Sequence, residues 1–254
     1  VQMSLLQINK GLAADKAFLD LLEKIIDGKE KVNKTDGLVY YTSSNRISGS
    51  VRQGKTTVIS GLNSIQLFQE NHRWAGVLAG QGIGFLFLDN PGIIFNEDSL
   101  SEKGKEWLKA LNSAGLLLMI KNSSETEVKI LLRESKKPVV FLSAEVPGKE
   151  ILDLVKENSG AIGLLLQAEE SPGGYFQKLD LLKKEIGTGH LMIVNEACLW
   201  GEAGRNQMLQ LLSRLLEAKY ERGDLANIFS RTLLRVLRKT RGEGDQTVRP
   251  PHPF

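Results

Sequence analysis

Val139-Val-Phe-Leu142, Lys149-Glu-Ile-Leu-Asp-Leu-Val-Lys-Glu-Asn158 and Ala161-Ile-Gly-Leu-Leu-Leu166 decide the fold class. The first and third are short, unbroken apolar runs, the pattern of strands buried on both faces. The middle run carries Ile151, Leu152 and Val155 at helical spacing, with charged residues between them. Pro138 stops the preceding helix before the first strand, and Ser159-Gly160 ends the second helix, with Gly160 expected to supply a left-handed cap. A strand, a helix and a strand in this order make a parallel pair with the helix on one face of the sheet.

The pattern extends in both directions. Further strands are expected at Met3–Ile8, Leu38–Thr42, Thr57–Gly61, Gly84–Leu88, Leu116–Ile120 and Leu191–Val194. Helices are expected at Ala17–Ile26, Ser101–Ser113 (with Ser99 or Ser101 as N-cap), Thr126–Ser135, Gln207–Arg222 and Leu225–Lys239. This alternation is α/β, and over this length it suits a (β/α) barrel of the TIM type in one domain, residues 1–240. A doubly wound open sheet is the alternative. Residues 241–254 are polar and proline-rich and read as a tail.

Composition narrows the function classes. Of 254 residues, 41% are hydrophobic and 25% charged, ordinary for a globular chain and not for a disordered one. A net charge of +3 gives no ground for a nucleic-acid partner. No apolar stretch reaches the length of a membrane span, so no membrane role is expected. Cys198 stands alone, which fits a reducing compartment, the cytoplasm, and no signal peptide is visible.

Several blocks, in order, resemble one family. Leu100–Leu118 resembles the renal (membrane) dipeptidase motif "LTxxGxxVVxxMNxxGMLVDLSH", and Ser123–Phe141 resembles "VSxxTxxxVLxxSxxPVIFSHS". Glu150–Gly160 is similar to "DxxLRLVKENGG", Asp224–Arg238 to "DIRKILGGNLLRVLR", and Arg52–Asn63 more loosely to "AxxEGKIAxLLGIEG". The resemblance implies a barrel of the metal-dependent hydrolase superfamily, incomplete or distorted because the chain begins after the strand that carries the family's His-x-Asp ligands. In that family two zinc ions clamp a hydroxide and polarise the scissile carbonyl, which requires imidazole and carboxylate donors at strand ends.

The resemblance also implies that those donors are lost. The bridging Glu falls on Asn63, the His of "DLSH" on Asn122, the His of "FSHS" on Ser143, and a substrate-contacting His near Asn90. The Asp of "GSDFDG" falls on Glu196, which alone keeps a carboxylate. The three histidines, His72, His190 and His252, do not replace them. His190 precedes a strand and reads as a hydrogen-bonded structural residue. The expected function is a non-hydrolytic barrel that binds a small ligand or a protein partner, with no cofactor. The open edge left by the missing strand favours a homodimer.

Other readings stay open. A residual hydrolase with altered metal dependence would centre on Glu196, beside Cys198 and Glu202, though Cys198 reads as a buried thiol. Gly49-Ser-Val-Arg-Gln-Gly54-Lys55-Thr56 matches the P-loop pattern GxxxxGK[ST] and offers a nucleotide site. Its context is wrong for one, because Thr56-Thr-Val-Ile-Ser favours a strand where a P-loop starts a helix. Arg231, Arg235, Arg238, Lys239 and Arg241 read as a solvated basic face at a helix C-terminus.

Overall fold

The structure, a computed structural model, describes residues 2–6, 13–43, 47, 49–50, 52–63, 71–89, 92–96, 99–167, 171–195 and 202–243. In chain order the elements are β1 (Gln2–Leu6), α1 (Ala14–Lys34), β2 (Leu38–Tyr40), β3 (Thr56–Leu62), α2 (Trp74–Gly80), β4 (Ile83–Asp89), β5 (Phe95–Asn96) and β6 (Ser99–Leu100). They continue with α3 (Glu102–Ala114), β7 (Leu117–Lys121), α4 (Glu125–Glu134), β8 (Val139–Ser143), α5 (Lys149–Glu157) and β9 (Ala161–Leu166). The last are α6 (Pro172–Ile186), β10 (Leu191–Asn195), α7 (Glu202–Glu217), α8 (Arg222–Ala226) and α9 (Thr232–Arg241). A π-helical turn, Asn227–Arg231, joins α8 to α9. All eight expected strands are present, so the chain is α/β.

Two helices escaped the periodicity, as did the two-residue strands β5 and β6. α2 is only two turns long, and α6 opens on Ser-Pro-Gly-Gly, which reads as a loop. Those residues in fact start α6: Ser171 accepts a hydrogen bond from the Gly174 amide, and Pro172 sits in the first turn, where its missing N–H costs nothing. α9 runs on through Arg241, past the expected end at Lys239.

The chain forms two compact units. The first comprises residues 1–88, 102–118 and 237–254. Within it β3 is flanked by parallel partners: β1 pairs with residues 58–62, β2 with 56–58 and β4 with 60–62. α1 buries Ala17, Leu21 and Ile25, and Phe18 stacks on Trp74 with ring centroids 4.4 Å apart.

The second unit comprises residues 89–101 and 119–236. β8, β9 and β10 pair in parallel there, and β9 is buried along its whole length. The capping box Ser124/Glu127 starts α4, each residue's side chain reaching the other's backbone N–H. α5 buries Ile151, Leu152 and Val155. Burying such a side chain is worth about 1.5–3 kcal/mol, so this apolar stripe, and not the exposed Lys129–Glu150 and Arg133–Glu150 pairs, holds the helix down.

The strand starts of this unit are tied by side chains that collect carbonyls. Asn158 Oδ1 accepts the Val139 amide at 2.7 Å, and its Nδ2 donates to the carbonyls of Leu132, Ser135 and Lys137. Arg235 donates to the carbonyls of Ser159 (2.6 Å), Gly160 (2.8 Å) and Gly189 (3.0 and 3.2 Å). The expected solvated face is therefore corrected: Arg231 and Lys239 are exposed, but Arg235 is half-buried, Arg238 is buried, and Arg241 bonds two carbonyls of the first unit. The left-handed cap is corrected too. Ser159, at φ 59°, is the left-handed residue, and Gly160 is required by space, since a Cβ there would lie 2.2 Å from the Val139 carbonyl oxygen.

Asp224 fastens α8 to this end of the unit. Its carboxylate accepts from Lys183 Nζ at 2.7 Å and from Thr188 Oγ1 at 3.0 Å. The Lys183 bond first, then Thr188, holds the carboxyl below its ordinary range against the opposing effect of burial.

Two outcomes are expected. Gly160→Ala lowers stability by about 1–3 kcal/mol, because the clash is with backbone that cannot rotate away; denaturant unfolding measures it. The depressed Asp224 pKa stabilises the fold above the ordinary carboxylate value of about 4, and that contribution is lost as pH falls through the depressed value. Asp224→Asn is thus less stable than the wild type near neutrality, and the gap closes in acid; melting temperatures across the pH range measure it.

Candidate strand-end site

The C-terminal ends of parallel strands are where barrels and doubly wound sheets place chemistry, because loops of free sequence diverge there. In the second unit the strand ends include Asp89 (β4), Asn122 (after β7), Ser143 (β8), Leu166 (β9) and Asn195 (β10), of which the first three carry the side-chain contacts described next. The backbone of Asn122 is left-handed, at φ 50°, a conformation that Asn tolerates better than other side-chain-bearing residues.

That turn aims the Asn122 side chain at Asp89, and Asn122 Nδ2 donates to Asp89 Oδ1 at 2.8 Å. The carboxylate oxygen accepts and the amide nitrogen donates, so the bond fixes which way the carboxamide faces. Ser143 is also committed: its Oγ donates to the Glu145 carbonyl at 2.7 Å and accepts the Glu145 amide. Lys178 closes the same loop, donating to the Ala144 carbonyl and to Glu145 Oε1. These side chains tie down the loops that follow the strands.

Asn63 lies at the end of β3 in the first unit, half-buried, with its backbone N–H 3.4 Å from the Leu6 carbonyl. Asn90, Glu196 and Cys198 lie outside the described residues, as does the side chain of Glu202. His190 is placed as a structural residue, its Nδ1 2.9 Å from the Gly160 carbonyl that Arg235 also holds. His72 stands before α2, with Nε2 3.3 Å from Glu106 Oε2.

The described residues of the P-loop letters lack the strand–loop–helix context of a phosphate loop. Gly49 and Ser50 are helical, Gly54 is a left-handed turn residue at φ 68°, and exposed Lys55 leads directly into β3, whose first residue is Thr56. A strand follows the lysine where a phosphate loop needs a helix N-terminus.

A two-zinc centre needs several imidazole or carboxylate donors converging on one point. Among the described residues no three His, Cys, Asp or Glu side chains converge in that way. Asn122 turns its amide nitrogen, which has no lone pair to give a metal, toward the Asp89 carboxylate. Among the described strand-end side chains, Asn122 and Ser143 offer neither an imidazole nor a carboxylate.

The fold can be compared with solved structures. An amidohydrolase from Pseudomonas aeruginosa superposes with a TM-score of 0.76 at 15% identity, over 95% of this chain and 89% of that one. The probable dipeptidase PvdM from Pseudomonas aeruginosa gives 0.74 at 14% identity, over 91% and 81%. A metallo-peptidase from Rhodobacter sphaeroides, bound to a phosphinate mimic of the dipeptide L-Ala-D-Ala, gives 0.72 at 14% identity, over 94% and 77%. The chain has the dipeptidase fold. The barrel-type architecture expected from the sequence is that of these hydrolases. No family model matches the sequence, and neither does any curated protein. Among the described residues no helix is long and apolar enough to cross a membrane.

The interaction that sequence reading missed is Asp89 with Asn122. Thirty-three positions separate them, and no local pattern announces the pair. Replacing Asn122 by Gly and by Ala removes the bond equally but treats the backbone differently. Asn122→Ala is expected to be less stable than Asn122→Gly by about 1 kcal/mol, the cost of a left-handed alanine, and equal stabilities would show that the turn is unstrained.

Proposed function

We propose that this chain is a dipeptidase-fold barrel that does not hydrolyse dipeptides and acts instead as a binding or scaffold protein. The observation that carries the reading is the Asn122–Asp89 bond: where the related fold needs metal donors at strand ends, a carboxamide and a carboxylate satisfy each other. Ser143, held by Glu145, supports it in the same way. The metal step of the family mechanism requires donors that these residues do not offer, so no zinc cofactor enters the reading. The occupant is a small ligand or a protein partner, a second copy of the chain included. The single thiol, Cys198, makes a reducing compartment such as the cytoplasm the proposed location.

Dipeptide turnover tests this directly. The purified chain is incubated with L-Ala-L-Ala and L-Ala-D-Ala, with zinc, manganese or cobalt added in turn. The expected rate is that of the buffer with metal alone. Metal-dependent hydrolysis that survives repurification and follows the protein peak would overturn the proposal.

A further inference from the structure

Both open positions on one edge of β3 are filled by different strands, end to end. Val58 pairs with Gln2 of β1 and with Tyr40 of β2, so these two strands lie on opposite edges of β3. Ser60 likewise pairs with Ser4 of β1 and with Ile83 of β4. β2 and β4 therefore share the same edge: β2 takes residues 56–58, β4 takes residues 60–62, and the end of β2 meets the start of β4. The approach is close. The Tyr41 amide still donates to the Val58 carbonyl at 2.8 Å, and a Cβ on Gly82 would lie 2.7 Å from the Tyr41 carbonyl oxygen.

Such a splice interrupts the ladder and leaves backbone carbonyls to be satisfied from elsewhere. Arg241, at the last position of α9, reaches it. Its Nη1 donates to the Thr42 carbonyl at 2.9 Å, at the end of β2, and its Nη2 donates to the Ile83 carbonyl at 3.0 Å, at the start of β4. The guanidinium carbon lies 4.8 Å from the centroid of the Tyr41 ring. The helix ends immediately afterwards: Gly242 is left-handed at φ 70°, and the amides of Gly242 and Glu243 return to the carbonyls of Lys239 and Arg238. A defined C-cap thus holds one guanidinium over the junction of two strands that no ladder bond joins.

We propose that Arg241 is a latch that holds β2 in line with β4, and that releasing it frees β2 from the edge of β3 while the rest of the first unit stays folded. β2 is suited to such local opening. It is three residues long, and among the described residues its ladder is with β3. The planar fork suits the task, since two parallel donors span two carbonyls that a lysine ammonium could not hold in the same geometry.

The test is hydrogen–deuterium exchange of the full chain, comparing wild type, Arg241→Ala and Arg241→Lys. The Arg241→Ala chain is expected to exchange at least about tenfold faster at residues 38–42 and 56–58, with α3 and β4 of the first unit unchanged, as local opening requires. Arg241→Lys should fall between, and guanidinium ion added to Arg241→Ala at non-denaturing concentration should restore part of the protection. Unchanged exchange at β2, or acceleration spread evenly over β2, α3 and β4, would overturn the latch. Should Arg241→Ala fail to fold, the Lys variant decides alone: selective loss of β2 protection supports the proposal, and uniform loss refutes it.

Discussion

The guanidinium of Arg235 is the constraint on which the second unit depends. It gathers the carbonyls of Ser159, Gly160 and Gly189, the residues that lead into β9 and β10. Turning a chain from a helix into a parallel strand leaves carbonyls facing inward at that end of the sheet, and burying them unpaired would cost more than most single interactions return. One charged, planar donor answers four such bonds, and Asn158 does the same for the entry to β8. Gly160 is the geometric counterpart of both: only a residue without a Cβ lets β9 start so close to Val139. The sheet is thus pinned at its strand starts, and this leaves the strand ends free to vary.

What varies there is the chemistry. Here Asn122 spends its amide on Asp89, and Ser143 spends its hydroxyl on Glu145. Each pairing satisfies groups that a ligand or ion would otherwise satisfy, and each stabilises a loop. A shared fold does not by itself carry an activity, which depends on the side chains placed at such ends.

Much of the architecture was legible because it rests on local patterns. Val139–Leu142 and Ala161–Leu166 are apolar runs too short for helices, and both are strands; the other six expected strands followed the same rule, whereas the two-residue strands β5 and β6 carry no such run. α6 was missed because Ser-Pro-Gly-Gly is punctuation that marks a loop and a helix start equally well. The basic residues of α9 were misread because sequence reports charge and not direction: Arg235 and Arg238 turn inward, whereas Arg231 and Lys239 stay in water. The site was legible only as a set of positions. That Asn122 and Ser143 stand at strand ends follows from the order of elements, but their partners do not. Asp89 is brought to Asn122 by a left-handed turn that the letters around it do not specify.

Metal content reads most directly whether the strand ends hold a metal centre, which the proposed function says they do not. Plasma mass spectrometry on protein purified without a histidine tag or chelator is expected to find less than about a tenth of an equivalent of zinc, manganese or iron, since multi-ligand sites retain their metal through purification. One or two equivalents bound per chain would contradict the account and return metal-dependent hydrolysis as the function of this fold.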